Sequence, residues 1–223
     1  MTPLHSFYRS LLAAHGPQGW WPLLEHDGTN PTKTGAIHGY HPGDYTLPRT
    51  ERQRFEIGLG AILTQNTAWP NAEKALLNLE VHKAIAPAVI LETPDADLKA
   101  WIRPAGFFNA KSRKLREFSR GFLAWGDRVP ERQTLLGIWG IGPETADSIR
   151  LYAYGQLEMV VDAYTRRILE GERLVPAGLS YEAIKGFCEE QLPAEVPLYQ
   201  EFHALMVEHA KRGGRNGWKR QHG

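Results

Sequence analysis

A single cysteine, Cys188, in 223 residues excludes two kinds of architecture. No disulfide can form within the chain, and a cysteine-held iron–sulfur cluster, which normally takes four thiolates, lacks its ligands. Apolar runs are equally scarce: none approaches the roughly 20 residues that span a bilayer, so no membrane partner is expected. The opening Met1-Thr-Pro-Leu-His has neither the basic end nor the apolar stretch of a secretion signal, which points to the cytoplasm. Charge of one sign is also missing. A formal net charge of +1 does not announce a nucleic-acid binder, so any such function has to be read from local clusters.

Apolar residues recur at helical spacing: Phe55, Leu59, Ile62 and Leu63; Ala72, Ala75, Leu76 and Leu79; Leu115, Phe118, Phe122 and Trp125; Tyr181, Ile184 and Cys188; Phe202, Met206 and Ala210. Pro and Gly punctuate these segments into helices of about 8 to 15 residues, so the fold class is all-α. Cys188 falls on an apolar stripe and reads as a small buried hydrophobe. The stretch from His26 to Thr50 has no periodicity and reads as a long irregular loop. His38, His41 and Asp44 within it are too loosely spaced for a metal site, and no metal is expected there. Two basic clusters stand out: Lys111, Arg113, Lys114, Arg116 and Arg120, and a tail with Lys211, Arg212, Arg215, Lys219 and Arg220. Taken alone, each reads as a solvated surface.

The segment from Leu135 to Arg150 is the most informative. A short helix runs into Gly140-Ile141-Gly142, where two glycines permit a tight turn and the isoleucine between them can anchor the hairpin in the core. Pro143 suits the first position of the next helix. Backbone amides at such a helix start suit a phosphate oxygen, and the carbonyls of Leu136, Ile138 and Ile141 could hold a monovalent cation. An ordinary turn between helices is the plainer reading. Twenty residues after Gly142, a strand-like run, Met159-Val-Val161, ends at Asp162 before a new helix. Hairpin and aspartate at this spacing resemble the helix-hairpin-helix DNA glycosylases related to endonuclease III, the HhH-GPD superfamily.

The resemblance implies that Asp162 is the catalytic carboxylate. Breaking an N-glycosidic bond leaves positive charge on the sugar, and a fixed carboxylate in a desolvated cleft stabilises it and can orient the attacking water. Asp162 also suits a helix N-cap, and both roles can hold at once. Bifunctional members place a lysine two residues after the second hairpin glycine, where its amine forms a Schiff base. Glu144 stands there instead and cannot form an imine, so base removal by water without strand cleavage is expected. Glu144 could accept a hydrogen bond from a flipped base or only favour the helix start electrostatically.

Leu59-Gly-Ala-Ile-Leu-Thr-Gln-Asn-Thr-Ala-Trp69 is similar to the family helix whose glutamine enters the space left by a flipped nucleotide. This makes Gln65 the expected plug with Asn66 beside it, and Gly140, Gly142 and Thr145 the expected hairpin contacts to DNA. Arg103 to Leu115 resembles the family's scaffold segment. Trp20, Trp21, Pro22 and Trp69 suggest a stacking pocket for a cationic, alkylated purine, because an indole face attracts cations. Core packing is the alternative for each tryptophan, while Trp101, Trp125 and Trp139 read as structural. With the late Phe202-His203, the pattern resembles the small bacterial 3-methyladenine glycosylases that lack an iron–sulfur cluster, so no cofactor is expected; Lys211 could reach the same cleft, a surface lysine being the plainer reading. The His26 to Thr50 loop looks like an insertion relative to that pattern.

The expected architecture is two helical lobes: residues 53–152 as a six-helix barrel ending in the hairpin at 135–150, and residues 1–52 with 153–223 as the lobe carrying Asp162, with a cleft between. The expected substrate is double-stranded DNA containing a damaged base, acted on by a monomer. Two rivals remain, an endonuclease III-like glycosylase for oxidised pyrimidines and a non-enzymatic DNA-binding module.

Overall fold

The computed structural model describes residues 1–29 and 38–221, with side chains described as far as residue 213. The side chains of the basic tail's Arg215, Lys219 and Arg220, and positions 30–37 of the irregular loop, lie outside what is described. Among the described residues the chain is all helical: eleven α-helices, a 3-10 turn at Arg103–Ala105 and a π turn at Ile149–Ala153. Among the described residues, no helix is long and apolar enough to cross a membrane. The chain divides into two compact units, Leu23–His26 with Thr46–Gln156, and Met1–Pro22 with Asp27–Tyr45 and Leu157–Gly223.

The first of these units holds helices α2 to α8 and the π turn. Helix α2 (Glu51–Leu63) starts at a capping box, with Thr50 and Gln53 satisfying each other's backbone amides, and its last nine residues are all buried. It lies so close to α6 (Phe108–Trp125) that a Cβ on Gly58 would sit 2.2 Å from the Phe118 ring. Phe118 stacks on Phe55 at 5.8 Å, and Phe122 meets Phe55 edge-on at 4.9 Å, forming the aromatic centre of the unit. Helix α3 is Trp69–Val81, and α4 (Pro87–Glu92) and α5 (Asp95–Trp101) are single short segments ended by the next proline or turn.

Much of the first basic cluster works inside this unit rather than in water. Lys111 is buried, and its ammonium donates to the carbonyls of Leu63 and Ala105, each at 2.8 Å. These are carbonyls that helix and turn ends leave without internal partners. Burial, and secondarily the nearby Lys114, pushes the Lys111 pKa down to about 8. Arg116 donates to the carbonyls of Ile90, Leu91 and Thr93 at the end of α4. Only Arg113 and Arg120 are exposed, so the solvated-face reading fails for most of the cluster.

The second unit packs α1 (Pro3–His15) against α10 (Tyr181–Gln191) and α11 (Val196–Gln221), with α9 (Ala163–Gly171) also against α11. Thr2 caps α1 by accepting from the His5 amide, and its hydroxyl donates to the Gln191 carbonyl at the end of α10. Met159-Val160-Val161 is buried but is not a strand. The Met159 amide donates to the Glu189 carboxylate and the Val161 amide to the Tyr181 hydroxyl, so α10 side chains supply the partners that a neighbouring strand would.

Candidate active site and nucleic-acid interface

Asp162 is the N-cap of α9. Its backbone is extended and its Oδ1 accepts the Thr165 amide at 2.7 Å, so one carboxylate oxygen is tied to the helix start. The side chain is 11% exposed. Its other oxygen faces Nε2 of the buried His203 on α11 at 3.8 Å, an electrostatic contact rather than a hydrogen bond. Burial alone would raise the Asp162 pKa. The His203 imidazole and the Thr165 donor more than offset that, so the carboxyl sits below its ordinary value of 3.8 and is an anion near neutral pH.

Trp20 sets its ring edge-on to His203 at 5.5 Å, which brings one of the expected stacking residues to the neighbourhood of Asp162. Trp21 meets Trp20 edge-on at 6.0 Å but is buried, as is Pro22, whereas Trp20 is half-buried. The segment is held by its backbone. The Glu201 carboxylate accepts the Gln18 amide at 2.8 Å, the Gly19 amide at 3.4 Å and the Tyr45 hydroxyl at 3.2 Å. Burial still holds the Glu201 pKa above the ordinary carboxylate range despite these donors. Gly19 has φ +66, and a Cβ there would lie 2.2 Å from the Pro42 nitrogen, so only glycine lets the tryptophan segment pass this close to the irregular loop. His41 uses both ring nitrogens on carbonyls, those of Trp21 at 2.9 Å and Asp44 at 2.8 Å. Its place is thus structural, and among the described residues no cluster of three or more His, Cys, Asp or Glu could hold a metal ion.

Lys211, on α11, has an exposed side chain whose amine is nevertheless desolvated enough to lower its pKa, with the negative charges of Glu208 and Asp162 opposing the shift. The sequence pattern contained Phe202-His203 but no role for the histidine, and Glu201 carried no signal of its own.

The helix-hairpin-helix lies in the other unit, between α7 (Arg132–Leu136) and α8 (Pro143–Ser148). Arg132 grips the buried Asp147 with two bonds, 2.6 and 3.1 Å, which clamps the two helices together. Ile141 is buried beneath the turn and Pro143 opens α8, as the glycine and proline pattern requires. Gly140 has φ +84, and a Cβ there would collide with the Lys114 side chain at 2.4 Å. Gln65 donates through its amide nitrogen to the Gly140 carbonyl at 3.2 Å and the Thr145 hydroxyl at 2.8 Å, and accepts from the Lys114 ammonium at 2.5 Å. The amide nitrogen of the expected plug is therefore engaged by the hairpin, and its oxygen by Lys114 on α6. Asn66, next along, is exposed with a left-handed backbone, φ +54. Glu144 is exposed in the first turn of α8, Gly142 is extended and exposed, and half-buried Trp69 opens α3. Of the three carbonyls considered for a cation, that of Ile138 accepts the Ile141 amide at 3.1 Å, closing the hairpin.

One unit therefore gathers Asp162, His203 and Trp20, and the other gathers Gln65, Thr145, Gly140 and Lys114. The family model described as HhH-GPD superfamily base excision DNA repair protein matches residues 59–194, which includes the hairpin and Asp162. A protein of Methanocaldococcus jannaschii named as a DNA repair glycosylase is 34% identical, over 94% of this chain and 87% of its own length. The structure of the H. pylori 3-methyladenine DNA glycosylase bound to 1,N6-ethenoadenine is similar with a TM-score of 0.65 at 28% identity, covering 74% of this chain and 90% of that one. An endonuclease III–DNA complex superposes with a TM-score of 0.64 at 19% identity, over 77% of this chain and 79% of that one, a likeness of fold. The chain belongs to the HhH-GPD superfamily of base excision DNA repair proteins and, with it, to the DNA glycosylases.

Proposed function

We propose that this glycosylase is monofunctional and hydrolyses alkylated purines of the 3-methyladenine kind from duplex DNA. The observation that carries the reading is the Asp162 carboxylate, capped by the Thr165 amide, largely withdrawn from water and kept ionised beside His203. Loss of an N-linked base builds positive charge on the sugar, and a fixed anion that pays no reorganisation stabilises that charge directly. The same oxygens can orient the water that completes hydrolysis.

A purine alkylated on the ring carries delocalised positive charge, so its bond to the sugar is already weakened. Trp20, half-buried beside His203, offers an indole face that favours such a base. The H. pylori relative holds 1,N6-ethenoadenine, a modified adenine, which is consistent with the same substrate class here. Glu144 supports the absence of a lyase step, since its carboxylate cannot form an imine. The hairpin from Gly140 to Pro143 supplies backbone amides for a phosphate, a contact indifferent to base sequence that helps offset the few kcal/mol of base flipping.

Incubation with methylated duplex DNA tests this directly, with released bases separated by chromatography and strands resolved before and after alkali. Release of 3-methyladenine with breaks appearing only after alkali is expected. Breaks without alkali would overturn the monofunctional assignment, and release of oxidised pyrimidines but no alkylated purines would overturn the substrate class.

A further inference from the structure

The hairpin between α7 and α8 also carries Trp139, whose side chain is 45% exposed rather than part of the core. Arg113, on α6, lies over that ring with its guanidinium carbon 4.0 Å from the ring centroid, close enough for contact between the two groups. Arg113 is exposed, and among the described residues no carboxylate forms a salt bridge with it. Its neighbour in the cluster, Arg120, by contrast pairs with Glu117 at 2.9 Å.

Large indole surface left in water costs solvation free energy, and an unrestrained arginine loses rotamer entropy when a ligand fixes it. A guanidinium over the ring answers both costs: it covers indole surface, and contact with the ring restrains the arginine in a position from which its N–H groups can donate to an anion. The backbone that carries the ring is held in place. Gly140, next in sequence, packs against the Lys114 side chain and accepts from Gln65, and the adjacent Ile141 is buried, so the hairpin backbone carrying Trp139 is pinned to α6.

We propose that Arg113 and Trp139 form a phosphate contact for duplex DNA, separate from the hairpin amides, that adds affinity whether or not the duplex carries damage. The inference rests on the DNA-glycosylase reading above. The guanidinium would donate its edge to a phosphate oxygen of the sugar–phosphate backbone, with the indole as its brace, and no base is read.

Fluorescence anisotropy of the full chain measures this on a labelled duplex of about 20 base pairs, undamaged or carrying a tetrahydrofuran abasic analogue, across a salt series. Arg113→Gln and Trp139→Ala should each weaken both duplexes by about fivefold, and Arg113→Gln should flatten the slope of log K against log salt by about one. The double variant should bind within about twofold of the weaker single variant, because the two side chains act as one unit. Arg113→Lys should restore the salt slope without restoring the full affinity.

An unchanged slope and affinity in Arg113→Gln overturns the proposal. So does a loss confined to the damaged duplex, or weakened binding matched by a fall in Tm with the slope intact, which would mark the pair as packing. If the parent chain binds DNA and releases bases while both variants match it, only this inference fails. A parent chain that binds neither duplex removes the DNA reading and the inference together.

Discussion

Asp162 and Gln65 are both polar side chains near helix ends, yet their surroundings differ in kind. Asp162 is withdrawn from water, capped by one amide and faced by His203, so its environment controls a charge. Gln65 is half-exposed and neutral, and its three hydrogen bonds to Gly140, Thr145 and Lys114 control a shape, that of the hairpin. Burial with a compensating partner tunes a carboxylate for chemistry. A half-exposed amide network instead holds backbone in place and can exchange partners with water at lower cost.

If this contrast is right, removing charge on the Asp162 side should be far more damaging than removing hydrogen bonds on the Gln65 side. Asp162→Asn keeps an oxygen for the Thr165 amide but discards the negative charge. Base release from methylated DNA should fall by about 10³-fold with duplex affinity little changed. Unchanged turnover in a chromatographic release assay would remove Asp162 from the mechanism.

His203→Gln comes next. Asp162 is held below its ordinary pKa by the imidazole against the upward pull of burial, so its ionised form persists to low pH. Without His203, burial acts with less opposition, leaving the Thr165 donors to favour the anion. The acid limb of the rate profile should then move upward, and turnover should drop about tenfold near pH 5 and less at pH 8. A uniform loss at every pH would make His203 only a packing partner.

Gln65→Ala should cost about fivefold in duplex affinity, the worth of roughly 1 kcal/mol of lost hydrogen bonding, with base release at saturating DNA nearly unaffected. Loss of turnover at saturation instead would give Gln65 a part in base extrusion.

The smallest effect is one of stability, from a buried carboxyl that belongs to neither site. Glu56 on α2 accepts the Leu24 amide, and burial raises its pKa to about 7 from the ordinary 4.5 despite that donor and Arg52. The folded state therefore binds this proton more tightly than the unfolded chain. Its stabilising contribution is fully present below about pH 4.5 and is lost as pH rises through about 7. Glu56→Gln cannot titrate and should gain about 3 °C in Tm over the parent at pH 8 while matching it near pH 4.5, a difference thermal unfolding resolves. Parallel Tm curves for the two proteins would refute the shift.

Local rules made the helices, the hairpin and the N-cap legible. Proline at 143, glycines at 140 and 142 and an aspartate before Ala163 act within a few residues of themselves, so their consequences follow from backbone sterics and unpartnered amides wherever the chain goes. The all-helical class followed from periodicity for the same reason. The long irregular segment hid its anchors, because His41 and Tyr45 bond to Trp21 and Glu201, residues far along the chain.

What the chain determined unaided was thus the all-helical class, the turn at Gly140 to Pro143 and the N-cap before Ala163. Only the tertiary structure decided that His203 faces Asp162 across 41 residues of sequence, that Lys111 is buried as a cap for two carbonyls, and that Trp139 lies outside the core against Arg113. Those outcomes depend on which groups share a dielectric environment and which are closed off from water. That is a property of three-dimensional packing, which the spacing of residues along one chain does not encode.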